Sequence, residues 1–320
     1  MSPLTPDDQT APHTLVKFSD PKRTAKGEPR AHVGMRRLET LWFNTGTLCN
    51  IACANCYIES SPTNDRLVYL TETDVAPYLD EIDALGLGSC EIGFTGGEPF
   101  MNPAMNRLAE MALARGHEVL ILSNAMTPMM RPAVQEGLLA LKERYGDRLT
   151  LRISIDHHTR ASHDAERGAG SFEATLKGLR WLAANGVRLA AAGRAVYEED
   201  EAAARAGFAA LFESLGADIP AHDPSRLVIF PEMDPAGDPP EITTACWDIL
   251  GKDPGDVMCA SSRMVVKRKG AERPVVLSCT LIPYDAAFEM GETLHEALQP
   301  VSLNHKFCAQ FCVLGGASCS

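Results

Sequence analysis

Three cysteines, Cys49, Cys53 and Cys56, stand in the stretch LCNIACANCY, with three residues in the first gap and two in the second. Thiolates at such spacing bind zinc or iron–sulfur clusters. A structural zinc takes four ligands, and no histidine lies between Cys49 and residue 116 to complete the set. Three thiolates can instead hold three irons of a [4Fe–4S] cluster and leave the fourth iron open to a substrate or cofactor. The plain alternative is a group of buried core cysteines at a strand end. Six of the ten cysteines fall in the last quarter of the chain: Cys246, Cys259, Cys279, Cys308, Cys312 and Cys319. Cys259 and Cys279 flank two β-rich runs separated by Lys269-Gly270-Ala271-Glu272, a hairpin signal that brings both thiols to one site. Cys308 and Cys312 are four residues apart, one helical turn, and so share a face. Cys90 and Cys246 read as core cysteines.

Other residue types suit a ligand beside the first group. Gly96-Gly97-Glu98-Pro99 ends an apolar run. Glycines allow close backbone approach and a carboxylate suits an ammonium, although GGEP alone also makes an ordinary turn. Ser123, Asn124, Ser154 and Asp156 fall at the carboxyl ends of strand-like runs, where ligands sit in parallel sheets. Each taken singly is equally a helix cap or a loop hydrogen bond. Arg194 suits a carboxylate ligand or a solvent salt bridge. His157, His158 and His163 read as loop and cap residues.

The elements that must position these residues alternate. Strand-like runs at 38–43, 89–99, 117–124, 149–156, 187–193 and 226–233 are separated by helical patterns at 71–86, 103–116, 131–146, 171–186 and 201–216. Six strands and five helices in strict alternation predict an α/β fold with a parallel sheet and helical crossovers. Residues 1–37 lack periodicity and read as a partly disordered or loosely docked extension, 38–235 as the α/β core, and 236–320, divided from it within the Pro-rich DPAGDPPEIT, as a small cysteine-rich domain. With 45% hydrophobic residues the chain can bury a large core. A balance of 30 basic against 42 acidic residues, net −12, argues against nucleic acid as the main partner. No secretory signal and no run of roughly 18 apolar residues is present, so no membrane partner is expected. A cytoplasmic location with reduced thiols follows.

Cys49-x3-Cys53-x2-Cys56 after the first strand, with Gly96-Gly97-Glu98 closing the second, resembles the radical S-adenosylmethionine (SAM) superfamily over about residues 38–235. The resemblance implies a partial (β/α)6 TIM-type barrel. It implies that SAM chelates the open iron and is cleaved by one electron. A 5′-deoxyadenosyl radical then takes hydrogen from a peptide or small-molecule substrate. Gly96, Gly97 and Glu98 would hold the SAM amino group, and Asn124, Ser154 and Asp156 its ribose and carboxylate. Arg194 would pair with the carboxylate. Many members place an aromatic just before the third cysteine; here Asn55 stands there and Tyr57 follows, so Tyr57 is the candidate contact. A reductant such as flavodoxin or ferredoxin is implied. The resemblance assigns no residue that reacts with substrate.

The tail resembles the auxiliary-cluster extensions called SPASM and, in reduced form, Twitch. Four of Cys259, Cys279, Cys308, Cys312 and Cys319 would hold a second [4Fe–4S] cluster that assists oxidation or binds substrate. The competing reading is an iron–sulfur electron-transfer or binding protein that does not cleave SAM, with a structural zinc in the tail. Relatives that bind a leader peptide usually carry about eighty extra residues for it. The 37 before the first strand are too few, so either a partner presents the peptide or the substrate is a small molecule.

Overall fold

A computed structural model describes residues 16–195, 200–234 and 236–317. After a two-residue strand β1 (His32–Val33), the chain alternates as its sequence implies. The elements are β2 (Thr40–Asn44), α1 (Glu72–Ala84), β3 (Glu91–Thr95), α2 (Met105–Ala114), β4 (Glu118–Ser123), α3 (Pro132–Tyr145), β5 (Leu149–Ser154), α4 (Arg160–Arg167), α5 (Ser171–Ala184), β6 (Arg188–Ala195), α6 (Glu201–Ser214) and β7 (Leu227–Pro231). Strands β2 to β7 are parallel neighbours in sequence order, as in a partial (β/α)6 barrel. They are short apolar runs because both faces are covered. Their outward side chains, among them Phe43, Ile92, Phe94, Ile121, Leu151 and Ile153, meet the apolar stripes of the helices in one core. Burial of each such side chain stabilises the fold by about 1.5–3 kcal/mol. On the inner face, Gly93 makes room for Trp42. A Cβ at residue 93 would stand 2.3 Å from the indole ring.

The C-terminal quarter continues this sheet. After the short helix α7 (Cys246–Leu250), β8 (Ser262–Val266) pairs parallel with β2, and β9 (Val275–Leu277) returns antiparallel to β8. The eight strands run β7-β6-β5-β4-β3-β2-β8-β9 and do not close. The hairpin expected around Lys269 to Glu272 is therefore present, and it is welded to the barrel edge. Cys308–Val313 forms one turn of π-helix.

Three features depart from the sequence reading. The stretch holding the three histidines contains α4, whose eight residues RASHDAER show no apolar stripe because one residue, His163, is buried. Residues 16–37 are docked. β1 pairs with β10 (Val301–Ser302), and the buried Arg30 guanidinium donates to the carbonyls of Asp20, Arg23 and Leu303 and to Glu241 at 2.5 Å. The segment lacks periodicity because it is held by one short strand pairing, by Ala31 and Val33 in a small apolar cluster and by the buried Arg30, and not by an amphipathic face. Residues 1–15 and Cys319 lie outside the described residues. Cys246 is half-buried at the first residue of α7, and its Sγ accepts from the Thr243 N–H at 3.3 Å. It belongs to the edge of the cluster around Cys259, Cys308 and Cys312, and not to a helical core. Among the described residues no helix is long and apolar enough to cross a membrane, and none of the nine described cysteines is in a disulfide.

Candidate functional site

The carboxyl ends of β2 to β7 surround a cavity of about 190 Å³. Asn44 ends β2, and the chain then loops through Cys49, Cys53 and Cys56 across the barrel mouth, where all three line the cavity. Gly96 and Gly97 fix this loop. The Gly97 N–H donates to the Gly46 carbonyl at 2.8 Å and the Glu98 N–H to Leu48 at 3.2 Å. Cβ atoms would stand 2.5 Å from the Gly46 oxygen at residue 96 and 2.1 Å from the Leu48 oxygen at residue 97, and Gly96 has φ +138°. Only glycine lets the two turns lie this close.

Glu98 is not part of the lining. Its side chain turns into the wall, where it accepts from Ser123 Oγ at 2.9 Å and from the backbone N–H groups of Asn124 at 2.8 Å and Phe100 at 3.2 Å. Burial pushes its carboxyl up to about 7, and these donors and Arg167 restrain the rise. The carboxylate thus ties the β3 turn to the end of β4. Asn124 carries the tie onward, with Nδ2 donating to Asn50 Oδ1 at 2.9 Å and lying 3.9 Å from Cys49 Sγ. Burial pushes the Cys49 thiol up to about 12 and raises Cys53 as well. Such thiols keep their protons until a metal ion takes the proton's place.

Ser154, Asp156, Arg194 and Tyr57 line the same cavity, with Gly96, Gly97 and Asn124. Asp156 is not a lone acceptor. Both its oxygens take the Arg167 guanidinium, Nε at 2.7 Å and Nη2 at 2.9 Å. Burial alone would raise the Asp156 carboxyl, and the Arg167 charge outweighs it and holds the group below the usual range. Burial alone would lower Arg167, and the Asp156 carboxylate outweighs it in turn. Arg167 was invisible as a site residue because it closes α4, the helix that has no apolar signature. Its charge, three residues after Asp164 and eleven after Asp156, was the available signal. The end of α4 also grips the cysteine loop. The Glu166 carbonyl accepts from the Ala54 N–H at 2.8 Å, and its carboxylate accepts from Asn55 Nδ2 at 2.9 and 3.2 Å. Asn55 therefore stands where the loop meets α4 and not against the cavity's far wall.

Arg194 donates to the Asn55 carbonyl and lies 4.5 Å from the centre of the Tyr57 ring. Its Nε, and the Trp42 indole Nε1 in the same lining, are buried donors with no hydrogen-bond partner among the described residues. Tyr57, Phe230 and Phe311 form an aromatic roof with ring centres 5.6 to 6.3 Å apart. Thr280, Leu281 and Phe311, all from the tail, complete the lining. The histidines stay out of it. His157 Nδ1 takes the Thr159 N–H at 3.0 Å at the start of α4, and His158 stacks on His157 with ring centres 4.2 Å apart. His163 is fully buried against Phe172, and burial pushes it down to about 4.

Behind the roof, Cys259, Cys279, Cys308 and Cys312 line a second cavity of about 20 Å³. Leu281 borders both cavities, and Phe311 and Cys312 pack in one apolar cluster with Tyr57 and Cys279. Burial raises the Cys259 thiol to about 12 and Cys308 to about 11. Among the described residues no three His, Cys, Asp or Glu side chains converge as around a single metal ion. A four-iron cluster meets each thiolate at a different iron, so its cysteines stand farther apart than those around one ion. The donor sets fit this group: three thiols and a polar, open side in the first cavity, four thiols in the second.

Residues 43–197 match the family model of the Radical SAM superfamily. Over that stretch the chain is similar to the radical SAM domain, the core of a class of enzymes that use a [4Fe–4S] cluster and SAM. Among its relatives, the antilisterial bacteriocin subtilosin biosynthesis protein AlbA of Bacillus subtilis is 34% identical over 140 residues, 43% of this chain and 29% of that protein. The mycofactocin maturase MftC of Mycobacterium ulcerans is 31% identical over 138 residues, 43% of this chain and 34% of that protein. The chain thus spans about a third of the length of these relatives. In fold it is similar to native anSMEcpe with bound AdoMet, at TM-score 0.59 and 14% identity, over 84% of this chain and 82% of that one.

Proposed function

We propose that this chain is a radical SAM enzyme that modifies a peptide, with a second [4Fe–4S] cluster held by its tail. The observation that carries the reading is the first cavity itself. It gathers three thiols, a glycine turn, the polar ends of β4 to β6 and two arginines at one barrel mouth. The chemistry supplied when cluster and SAM are bound is one-electron cleavage of the sulfonium, which releases a 5′-deoxyadenosyl radical that takes hydrogen from substrate.

Cys49, Cys53 and Cys56 hold three irons. The Gly96-Gly97 backbone presents its polar groups to the SAM amino group, while Glu98 acts behind it by fixing the turn. Arg167, held in place by Asp156, and Arg194 set two cations where a carboxylate binds. Asn124 and Ser154 offer hydrogen bonds to the ribose. Tyr57, Phe230 and Phe311 cover the site and keep water from the radical. Cys259, Cys279, Cys308 and Cys312 hold the auxiliary cluster, with Cys319 the remaining candidate. Its nearness to the roof suits a centre that takes one electron from a substrate radical. The name of AlbA supports a peptide substrate, since a bacteriocin is a peptide, and that of MftC, a maturase, suits modification of a precursor. A low-potential carrier such as flavodoxin or ferredoxin serves as reductant, in a reducing cytoplasm that keeps the thiols available.

The test is anaerobic reconstitution with iron and sulfide, reduction, and addition of SAM. 5′-Deoxyadenosine should form, and a peptide mixture should show a mass change dependent on SAM. No 5′-deoxyadenosine from protein that holds its clusters would sink the reading in favour of an electron carrier. Zinc in the tail on elemental analysis would remove its redox role.

A further inference from the structure

Among the described residues, two serine hydroxyls are buried without a hydrogen-bond partner, Ser60 and Ser278. They are 5% and 2% exposed. Each lines one of the two cysteine cavities, Ser60 with Cys49, Cys53 and Cys56, Ser278 with Cys259, Cys279, Cys308 and Cys312. Each also sits close along the chain to one of those thiols. The Ser60 N–H donates to Cys56 Sγ at 3.3 Å, and Ser278 immediately precedes Cys279.

A buried hydroxyl is ordinarily satisfied by the protein. The fold does this for Ser123, which lines the first cavity too. Its Oγ donates to Glu98 at 2.9 Å and accepts from the Ala125 N–H at 3.0 Å. A hydroxyl left unpaired in a thiol-lined cavity is a rotatable donor aimed at what the cavity holds. Thiolate and bridging sulfide are hydrogen-bond acceptors with excess negative charge. A donor to either stabilises the more negative, reduced state, and so moves the potential upward.

We propose that Ser60 and Ser278 each donate a hydrogen bond to a sulfur of the cluster in their own cavity, and that each raises the reduction potential of that cluster alone. This rests on the cluster assignments above. Ser60 thereby brings the first cluster within reach of a physiological reductant, and Ser278 makes the second a better acceptor.

The experiment is an EPR-monitored redox titration of anaerobically reconstituted full-length protein, with Ser60→Ala, Ser278→Ala and Ser60→Thr. Signals are assigned on a Cys49/Cys53/Cys56→Ala variant. Iron and sulfide should match the parent in all three serine variants. Ser60→Ala should lower the ratio of reduced to oxidised first cluster at fixed potential by about threefold to tenfold, tenfold being about 59 mV for one electron. The second cluster should not move. Ser278→Ala should do the converse, and Ser60→Thr should titrate as the parent. Unmoved midpoints in protein that holds both clusters would overturn this inference alone. Iron loss in the alanine variants would assign the serines to assembly and overturn it as well. A parent without redox-active iron at these thiols would overturn the cluster assignment beneath it, and the inference with it.

Discussion

The two cysteine groups are built by opposite means. The first is a loop between regular elements, held by backbone hydrogen bonds to the glycine turn, by Asn124 and by the end of α4, over a cavity of about 190 Å³. The second is a hairpin end and a single π-turn around about 20 Å³. Besides the pairing of β8 with β2 and small apolar clusters, two buried arginines that cap backbone carbonyls hold the tail. Arg30 reaches Leu303, and Arg263 reaches Cys259, Ser262, Ala297 and Gln299. The first region has a core of its own and offers ligands to a formed space. In the second the space is small and regular structure is scant, so a cluster bound there would contribute directly to folding.

The sharpest way to break this contrast is to remove the first thiols. Cys49, Cys53 and Cys56→Ala together should remove about half of an expected total of about eight irons, and abolish 5′-deoxyadenosine formation. The far-ultraviolet circular dichroism should be unchanged, because the barrel packs without the loop. Full iron content in the triple variant would refute the assignment. Deleting residues 308–320 comes next. It should remove the second cluster and expose the β8–β9 hairpin to proteases, as measured by limited proteolysis. It also removes Phe311 from the roof. SAM binding by calorimetry should then weaken about three- to tenfold, the scale of one ring contact of ~0.5–1.5 kcal/mol. Unchanged affinity would show that the tail does not complete the first cavity.

Two smaller effects probe how far the first region stands by itself. Asp156→Asn leaves the Arg167 cation buried and unpaired, which costs about 3–5 kcal/mol. The chemical denaturation midpoint should fall accordingly, with SAM binding also weakened because Arg167 loses its orientation. Glu98→Gln should act through pH. The native carboxyl sits raised, at about 7. The folded state therefore binds more protons than the unfolded state between roughly 4.5 and 7, and stability falls as pH rises across that window. Full protonation below the window gives the largest contribution, on the order of 3 kcal/mol above the high-pH value. Glutamine does not titrate, so denaturation midpoints from pH 4.5 to 8 should lose this slope. A slope that persists in the variant would assign it to another group.

Much of the barrel was legible because periodicity reports burial. The runs at β2 to β7 and the five amphipathic helices bury a face, and their apolar spacing says so. α4 buries one residue and so left no pattern, and with it Arg167 and Glu166 went unread. The glycine turn was legible through residue type, since close approach excludes a Cβ. The direction of Glu98 was not. A carboxylate beside a glycine turn can face ligand or wall, and the Ser123 and Asn124 donors that draw it inward come from a strand some twenty-five residues later. Asp156 was readable as a polar strand end, yet its partner sits eleven residues on, at the far end of α4.

By itself the sequence determined the thiol spacing, the alternation of strand and helix, and the hairpin between Cys259 and Cys279, because each is set by residues near one another in the chain. The tertiary structure alone decided that β8 joins β2, that Arg30 and Arg263 anchor the tail, and that Phe311 and Leu281 roof a cavity whose thiols lie some 230 to 260 residues earlier. Those contacts depend on which surfaces the packed core leaves adjacent, and no local pattern of apolar and polar residues encodes that adjacency.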